Sequence, residues 1–137
     1  MAEKIFNSLI KKYNLKNLKA FSFGLGAING EEMNLKAKRA LKKIGITVGA
    51  KKSQKLEKIE SNALYITMTK QQKILLNFKN VFSFGELIDE IDVDDPYGKN
   101  QEEYDQTAKQ ILYYCEKLVG KLKNITKSWH FVMIFLF

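Results

Sequence analysis

Residues 63–68 read Ala-Leu-Tyr-Ile-Thr-Met, a nearly continuous apolar run of the kind found in strands that are buried on both faces. Outward from this run, strands are predicted over 18–23 and over 80–84, the second of them ended by Gly85. Helices are predicted at five places: 2–14, 33–44, 53–59, 70–77 and 101–122. Strands that alternate with helices predict an α/β fold with a parallel sheet, in which ligands bind beyond the carboxyl ends of the strands.

Length and charge limit the class of protein. The chain has 137 residues, 45% of them apolar, which predicts one compact domain. The formal net charge is +8, but 22 lysines stand against a single arginine and are spread along the chain. Nucleic-acid-binding proteins rely on arginine and cluster their charge, so no nucleic acid is expected and that function is the least favoured alternative. An anionic substrate or partner would be attracted at least as well.

The presence of only one cysteine and one histidine excludes several kinds of site. Cys115 is the only cysteine, so no disulfide can form within the chain, which suits a reducing cytoplasm. With one cysteine and one histidine, the chain lacks the ligands of a Cys/His zinc site. The only histidine, His130, stands in an apolar tail that is unsuited to a Ser-His-Asp triad. No metal or organic cofactor is expected. The first residues lack the apolar run of a signal peptide, and no segment is long enough to span a bilayer.

The motif with the clearest chemistry is Asp94-Asp95-Pro96-Tyr97-Gly98. A residue before proline is held extended, so the Asp95 carboxylate has a defined direction, as a general acid needs. An acidic turn explains the same residues, and on local chemistry alone that interpretation is favoured. The nearby Asp92 adds a third carboxylate, but a hard cation needs more oxygen ligands than this spacing guarantees.

Six stretches in order along the chain resemble one family. They are 1–6 (Met-Ala-Glu-Lys-Ile-Phe), 22–24 (Ser-Phe-Gly), 34–46, 66–69 (Ile-Thr-Met-Thr), 92–98 and 101–122. Together they resemble the low-molecular-weight protein tyrosine phosphatases over residues 1–123. The first stretch resembles the start of the helix that follows that family's Cys-x5-Arg-Ser phosphate loop, commonly by way of Pro-Met-Ala-Glu.

The resemblance implies a site and a reaction. In that family a cysteine thiolate attacks phosphorus, an aspartic acid protonates the departing oxygen, and water then hydrolyses the phosphocysteine. Asp95 matches the general acid, and Tyr97 matches an aromatic residue that flanks the substrate. The implied partners are phosphorylated proteins or small phosphate esters.

The nucleophile and the phosphate-binding arginine have no match. The only cysteine, Cys115, follows the only arginine, Arg39, so no Cys-x5-Arg exists in these 137 residues. Cys115 falls in the apolar stripe of the last helix, where a buried structural thiol is expected. The chain is therefore expected to be a truncated, inactive member or fragment of the family. A non-catalytic pseudophosphatase that binds a partner is the alternative.

Three departures from the family pattern favour a bacterial subgroup: Phe23 for a small residue, Lys51 for a histidine, and Thr69 for an aspartate. That subgroup includes protein-arginine phosphatases. The residue that separates tyrosine from arginine specificity lies in the unmatched loop, so a phosphoarginine-type relative stays open. Oligomeric state is not predicted.

The unmatched part would include the family's first strand, which is central in a sheet ordered 2-1-3-4. The domain is accordingly predicted over 1–124 with its central strand and phosphate loop missing, followed by an atypical hydrophobic tail over 125–137. Residues 128–137 read Ser-Trp-His-Phe-Val-Met-Ile-Phe-Leu-Phe. Three interpretations are open: read-through sequence without function, which is favoured; an interfacial or partner-binding tail; or a strand that fills the vacant central position.

Overall fold

A computed structural model describes residues 1–24, 33–49, 63–76, 79–123 and 131–137. In chain order the elements are α1 (Ala2–Lys12), β1 (Leu18–Phe23), α2 (Leu35–Lys43), β2 (Ala63–Thr67), α3 (Lys70–Leu75), β3 (Val81–Ser83), α4 (Phe84–Ile88), α5 (Gln101–Leu122) and β4 (Phe131–Leu136). The limits predicted for β1 and α5 are confirmed, and the other matched elements end within a few residues of the prediction. The helix predicted over 53–59 lies outside the described residues.

Polar side chains cap the beginnings of α2, α3 and α5. The Asn34 side chain accepts a hydrogen bond from a backbone N–H in the first turn of α2, and Asn100 does the same for α5. At α3, Thr69 and Gln72 form a reciprocal capping box. These bonds satisfy backbone donors that a helix leaves unpaired at its start, so each of these three helices begins directly after its capping residue.

The four strands form one parallel sheet in the order β1-β4-β2-β3. The C-terminal strand β4 lies in the centre, with Ala20 of β1 and Leu64 of β2 both opposite its Met133. The prediction of a sheet without its central strand is therefore wrong, because the tail occupies that position. Of the three interpretations of the tail, the structure corresponds to the third rather than to the favoured one.

Strand β4 is buried on both faces. Met133 and Phe135 point into the main core, which is built chiefly with α1 and α5, whereas Ile134 and Leu136 point into a smaller cluster on the opposite face. All four side chains are at most a few per cent exposed. Successive side chains of a strand point to opposite faces of the sheet. A central parallel strand that is covered on both faces therefore needs apolar residues at every position.

The outer edge of β1 is covered by polar side chains of α1. The Asn7 amide donates to the Ala20 carbonyl at 3.0 Å and accepts from the Ala20 N–H at 3.2 Å. The Glu3 carboxylate accepts from the Ser22 N–H at 3.1 Å. These bonds satisfy backbone groups of an edge strand that would otherwise pair with another chain.

The short helix α4 was not predicted. Gly85 was expected to end a strand over 80–84, but it lies inside α4, after Ser83, whose side chain caps that helix. A Cβ atom at Gly85 would lie 2.4 Å from the Glu90 carbonyl oxygen and 2.8 Å from that of Ile91. Glycine is therefore required here for close approach of the following segment.

Candidate active site

The acidic segment 89–98, called the acid loop below, joins α4 to α5 at the carboxyl end of the sheet. Three bonds hold its first half. The Val93 N–H donates to the Met68 carbonyl, just beyond β2, at 3.1 Å. The Tyr114 hydroxyl of α5 donates to the Ile91 carbonyl at 2.8 Å, and the Asp92 carboxylate accepts from the Lys70 N–H at the start of α3 at 3.0 Å. The loop is thus fixed to both the sheet and α5.

An ion pair anchors the beginning of the acid loop to α5. The Glu90 carboxylate accepts from the Lys117 ammonium at 2.7 Å and from the Tyr113 hydroxyl at 3.2 Å. The hydrogen bond from Lys117 holds the pKa of Glu90 below its usual range, and the same bond raises the pKa of Lys117. Charged partners therefore reinforce the backbone contacts of the loop.

Asp95 and Tyr97 lie together at the exposed turn of the loop. The Asp95 carboxylate accepts from the Tyr97 N–H at 3.0 Å, which orients one carboxylate oxygen. The Tyr97 side chain is 79% exposed. Both residues line the same cavity, so the structure brings the two residues singled out in the sequence to one place.

That cavity has a volume of about 410 Å³ and lies at the carboxyl end of the sheet. Its walls come from α1, the ends of three strands, α2, the acid loop and α5. Most of the lining residues that matter for its chemistry are apolar or aromatic: Met1, Met33, Met68, Tyr104, Phe135 and Phe137. The charged lining residues are three carboxylates, Glu3, Asp94 and Asp95, and one lysine, Lys4. Such a cavity can hold an aromatic or aliphatic group beside carboxyl groups.

Two groups within the cavity wall are electrostatically constrained. Glu3 is 3% exposed, and its carboxylate is committed to the Ser22 N–H, with the Lys4 ammonium 3.8 Å away. Burial raises the pKa of Tyr104, and the nearby negative charge of Asp95 raises it further. Tyr104 therefore stays a neutral phenol beside Asp95 at physiological pH.

Cys115 is not part of the cavity. It lies in α5 with no exposed surface, and burial raises its pKa above the usual range of a thiol. The expected buried structural thiol is confirmed. Because a nucleophilic cysteine must be an accessible thiolate, Cys115 is unsuited to attack a substrate.

Sequence reasoning did not single out four of the lining side chains: Glu3, Tyr104, Phe135 and Phe137. Glu3 stood within the Met-Ala-Glu stretch, which was the one available signal. The two phenylalanines belong to β4 and its end, which were interpreted as a tail. Within the described ranges no group of three or more His, Cys, Asp or Glu side chains could hold a metal ion, and no described helix is long and apolar enough to cross a membrane.

Comparison with known proteins gives one consistent result. Residues 1–128 match the family model described as low molecular weight phosphotyrosine protein phosphatase. A low molecular weight protein tyrosine phosphatase from T. tengcongensis is 30% identical, with 88% of each chain covered and a TM-score of 0.78. Among curated proteins, none matches the chain.

Two further solved structures are similar. The YwlE arginine phosphatase, in a mutant with a phosphorylated active-site serine, is 26% identical over 92% of this chain and 88% of its own, with a TM-score of 0.83. A low molecular weight protein tyrosine phosphatase from Bacillus subtilis is 28% identical over 90% of this chain and 87% of its own, with a TM-score of 0.79.

Proposed function

Because the chain belongs to the low molecular weight phosphotyrosine protein phosphatase family, we propose that these 137 residues keep the family's scaffold and acid loop but do not hydrolyse phosphate esters. One observation carries the proposal. The only cysteine follows the only arginine, so no Cys-x5-Arg exists in the sequence, and Cys115 is sealed inside α5. A phosphocysteine cannot form without an accessible thiolate.

Asp95 is the residue proposed to stand in the general-acid position, and Tyr97 the residue proposed to flank a bound substrate. Support comes from their shared cavity and from the Tyr97 N–H that orients the Asp95 carboxylate. A general acid without a nucleophile or a phosphate-binding group contributes nothing to phosphoryl transfer, since it acts only on a leaving group already under attack.

A direct test is phosphate release from a phenyl phosphate by purified wild-type chain, by Asp95→Asn and by Cys115→Ser. We expect all three to release phosphate at the rate of buffer alone. Cys115→Ser is the matched control, because it removes the only thiol while changing one atom. Turnover by the wild type that either variant abolishes would contradict the proposal.

The second candidate is a non-catalytic binding module, and the cavity itself favours it. Its apolar walls suit an aromatic or aliphatic side chain, while Lys4 is the one cationic side chain among the described residues that line it. The ligand proposed is a phosphorylated protein, with phosphotyrosine favoured and phosphoarginine as the alternative, since one similar structure is an arginine phosphatase.

Calorimetric titration with a phosphotyrosine peptide, a phosphoarginine peptide and their unphosphorylated forms tests this module. Binding that is weakened tenfold or more, about 1.4 kcal/mol, by Tyr97→Ala would support it. Leu35→Ala is the matched control, since Leu35 is an exposed apolar residue outside the cavity lining. Equal affinity in wild type and both variants, or no binding of any peptide, would contradict a module at this cavity.

A further inference from the structure

Helices α1 and α5 end side by side, at the edge of the sheet where β1 begins. The Tyr13 hydroxyl, just after α1, donates to the Glu116 carboxylate of α5 at 3.0 Å. The Lys123 ammonium, at the end of α5, lies 4.1 Å from the centroid of the Tyr13 ring, and the Lys12 ammonium lies 5.2 Å from it. Two cations therefore share one aromatic ring, whose negative face offsets part of their mutual repulsion.

The turn between α1 and β1 adds more positive charge at the same place. Asn14 adopts a left-handed conformation with φ 54°, and the Leu15 N–H donates to the Ile10 carbonyl at 2.9 Å, so the chain reverses directly after the helix. Lys16 follows this reversal. Four exposed lysines thus lie on or beside the turn and are called the lysine patch below: Lys11, Lys12, Lys16 and Lys123.

The segments that form the lysine patch bring little negative charge with them. No acidic residue stands between Glu3 and Glu31, and Glu116 is the last one in the sequence. The Glu116 carboxylate is bonded to the Tyr13 hydroxyl. Lysines near the end of a helix also complement its dipole, but Lys16 lies outside both helices, so that role does not account for the whole patch.

The lysine patch and the cavity lie at opposite ends of the same two helices. The beginning of α1 lines the cavity, whereas its last turn carries Lys11 and Lys12. Along α5, Tyr104 lines the cavity, and Lys123 lies about 28 Å farther on at the usual helical rise. A partner that contacts the patch would therefore leave the cavity open.

We propose that the lysine patch binds the anionic headgroups of a membrane surface and holds the chain with its cavity directed away from the lipid. No large apolar side chain of α1, of the turn 13–17 or of residues 114–123 is exposed, so the patch lacks the apolar centre of a protein interface. A membrane surface attracts lysines by charge alone. Nucleic-acid sites favour arginine, which the patch does not contain. This inference does not depend on the proposed function.

Co-sedimentation of the full chain with vesicles tests the proposal. One set of vesicles contains phosphatidylcholine alone, and the other contains equal parts of phosphatidylcholine and phosphatidylglycerol. We expect binding to the anionic vesicles only, and we expect it to weaken as salt is added, because salt screens charges at an exposed surface.

Two variants with the same net charge separate the patch from the charge of the whole chain. The patch variant carries Lys11→Gln, Lys12→Gln, Lys16→Gln and Lys123→Gln. The control variant carries glutamine at four exposed lysines elsewhere: Lys42, Lys70, Lys99 and Lys109. Each removes four positive charges from the formal net charge of +8. We expect the patch variant to bind anionic vesicles about tenfold or more weakly than wild type, and the control variant to lose less than about threefold.

A smaller variant guards against unfolding. Lys11→Gln combined with Lys16→Gln leaves both cations on the Tyr13 ring, and it should weaken vesicle binding severalfold at an unchanged melting temperature.

Equal weakening in the patch and control variants would overturn the proposal, since total charge rather than the patch would then drive binding. Failure of the wild type to bind anionic vesicles would overturn it as well. Binding of duplex DNA or polyglutamate that the patch variant loses, without binding to vesicles, would assign the patch to a different polyanion and contradict a lipid surface.

Discussion

The rings of Phe6 in α1 and Phe135 in β4 pack with their centroids 5.6 Å apart and their planes inclined at 58°. This contact joins the first helix of the chain to its last strand across more than a hundred residues. Phe135 also packs against Phe84 of α4, with ring centroids 5.7 Å apart. The C-terminal strand thereby connects elements from both ends of the sequence.

Replacing Phe135 with alanine should cost about 3–5 kcal/mol of the free energy of unfolding, because the ring is 1% exposed and its removal leaves a cavity. Urea denaturation followed by circular dichroism measures the loss. Phe137→Ala is the matched control, since Phe137 is 49% exposed, and it should cost about 1 kcal/mol or less. Similar losses for the two variants would show that β4 is not packed as described.

The features that could be predicted from the sequence are those that depend on residues close together in the chain. The limits of β1 and α5 follow from apolar periodicity and from flanking residues such as Asn100, which caps α5. The apolar and β-branched character of 131–136 indicated a strand, but no local feature says which strands it will pair with. Its central position follows from two long-range pairings, and only the structure shows them.

The candidate site was predictable in part for the same reason. Asp95 and Tyr97 stand within one motif, so their proximity is local. Tyr104 and Phe135 reach the cavity through the packing of α5 and β4, which lie far apart in sequence. Helix α4 was missed because its few residues include Gly85 and Phe84, which resemble the end of a strand.

Replacing Asn7 with alanine should leave the edge of β1 open. Asn7 satisfies both the N–H and the carbonyl of Ala20, so its loss should cost about 1 kcal/mol in the free energy of unfolding and should promote association through the exposed edge. Chemical denaturation and light scattering measure the two effects. Ser8→Ala, at the next exposed position of α1, is the control and should change neither. Unchanged scattering and stability in Asn7→Ala would refute the covering role of Asn7.

Replacing Gly85 with alanine should displace the acid loop. The added Cβ would overlap the Glu90 and Ile91 carbonyls, which are backbone atoms that cannot move aside singly, so we expect a loss of about 1–3 kcal/mol. Gly120→Ala is the matched control, because it stands inside α5 and a Cβ atom added there would meet nothing within 4 Å. That control should be stabilised by up to about 1 kcal/mol, since alanine favours helix more than glycine does. A neutral Gly85→Ala would contradict the close approach.

The Glu90–Lys117 pair should make stability depend on pH in the acid range. The native state lowers the pKa of Glu90, so it binds that proton more weakly than the unfolded chain does. The pair's contribution to the free energy of unfolding is complete above the ordinary glutamate pKa of about 4.3. It is lost as the pH falls through the lowered pKa that Glu90 has in the native state. The stability difference between wild type and Glu90→Gln should therefore be largest near neutral pH and shrink on acidification. A difference independent of pH would contradict the pairing.

Deletion of residues 128–137 tests most directly the central claim, that the C-terminal segment supplies the middle strand of the sheet. Strands β1 and β2 each pair with β4, so removing it leaves two strands without their shared partner. We expect the shortened chain to lose its cooperative thermal transition, followed by circular dichroism. A shortened chain that unfolds cooperatively at the melting temperature of the full chain would contradict the claim.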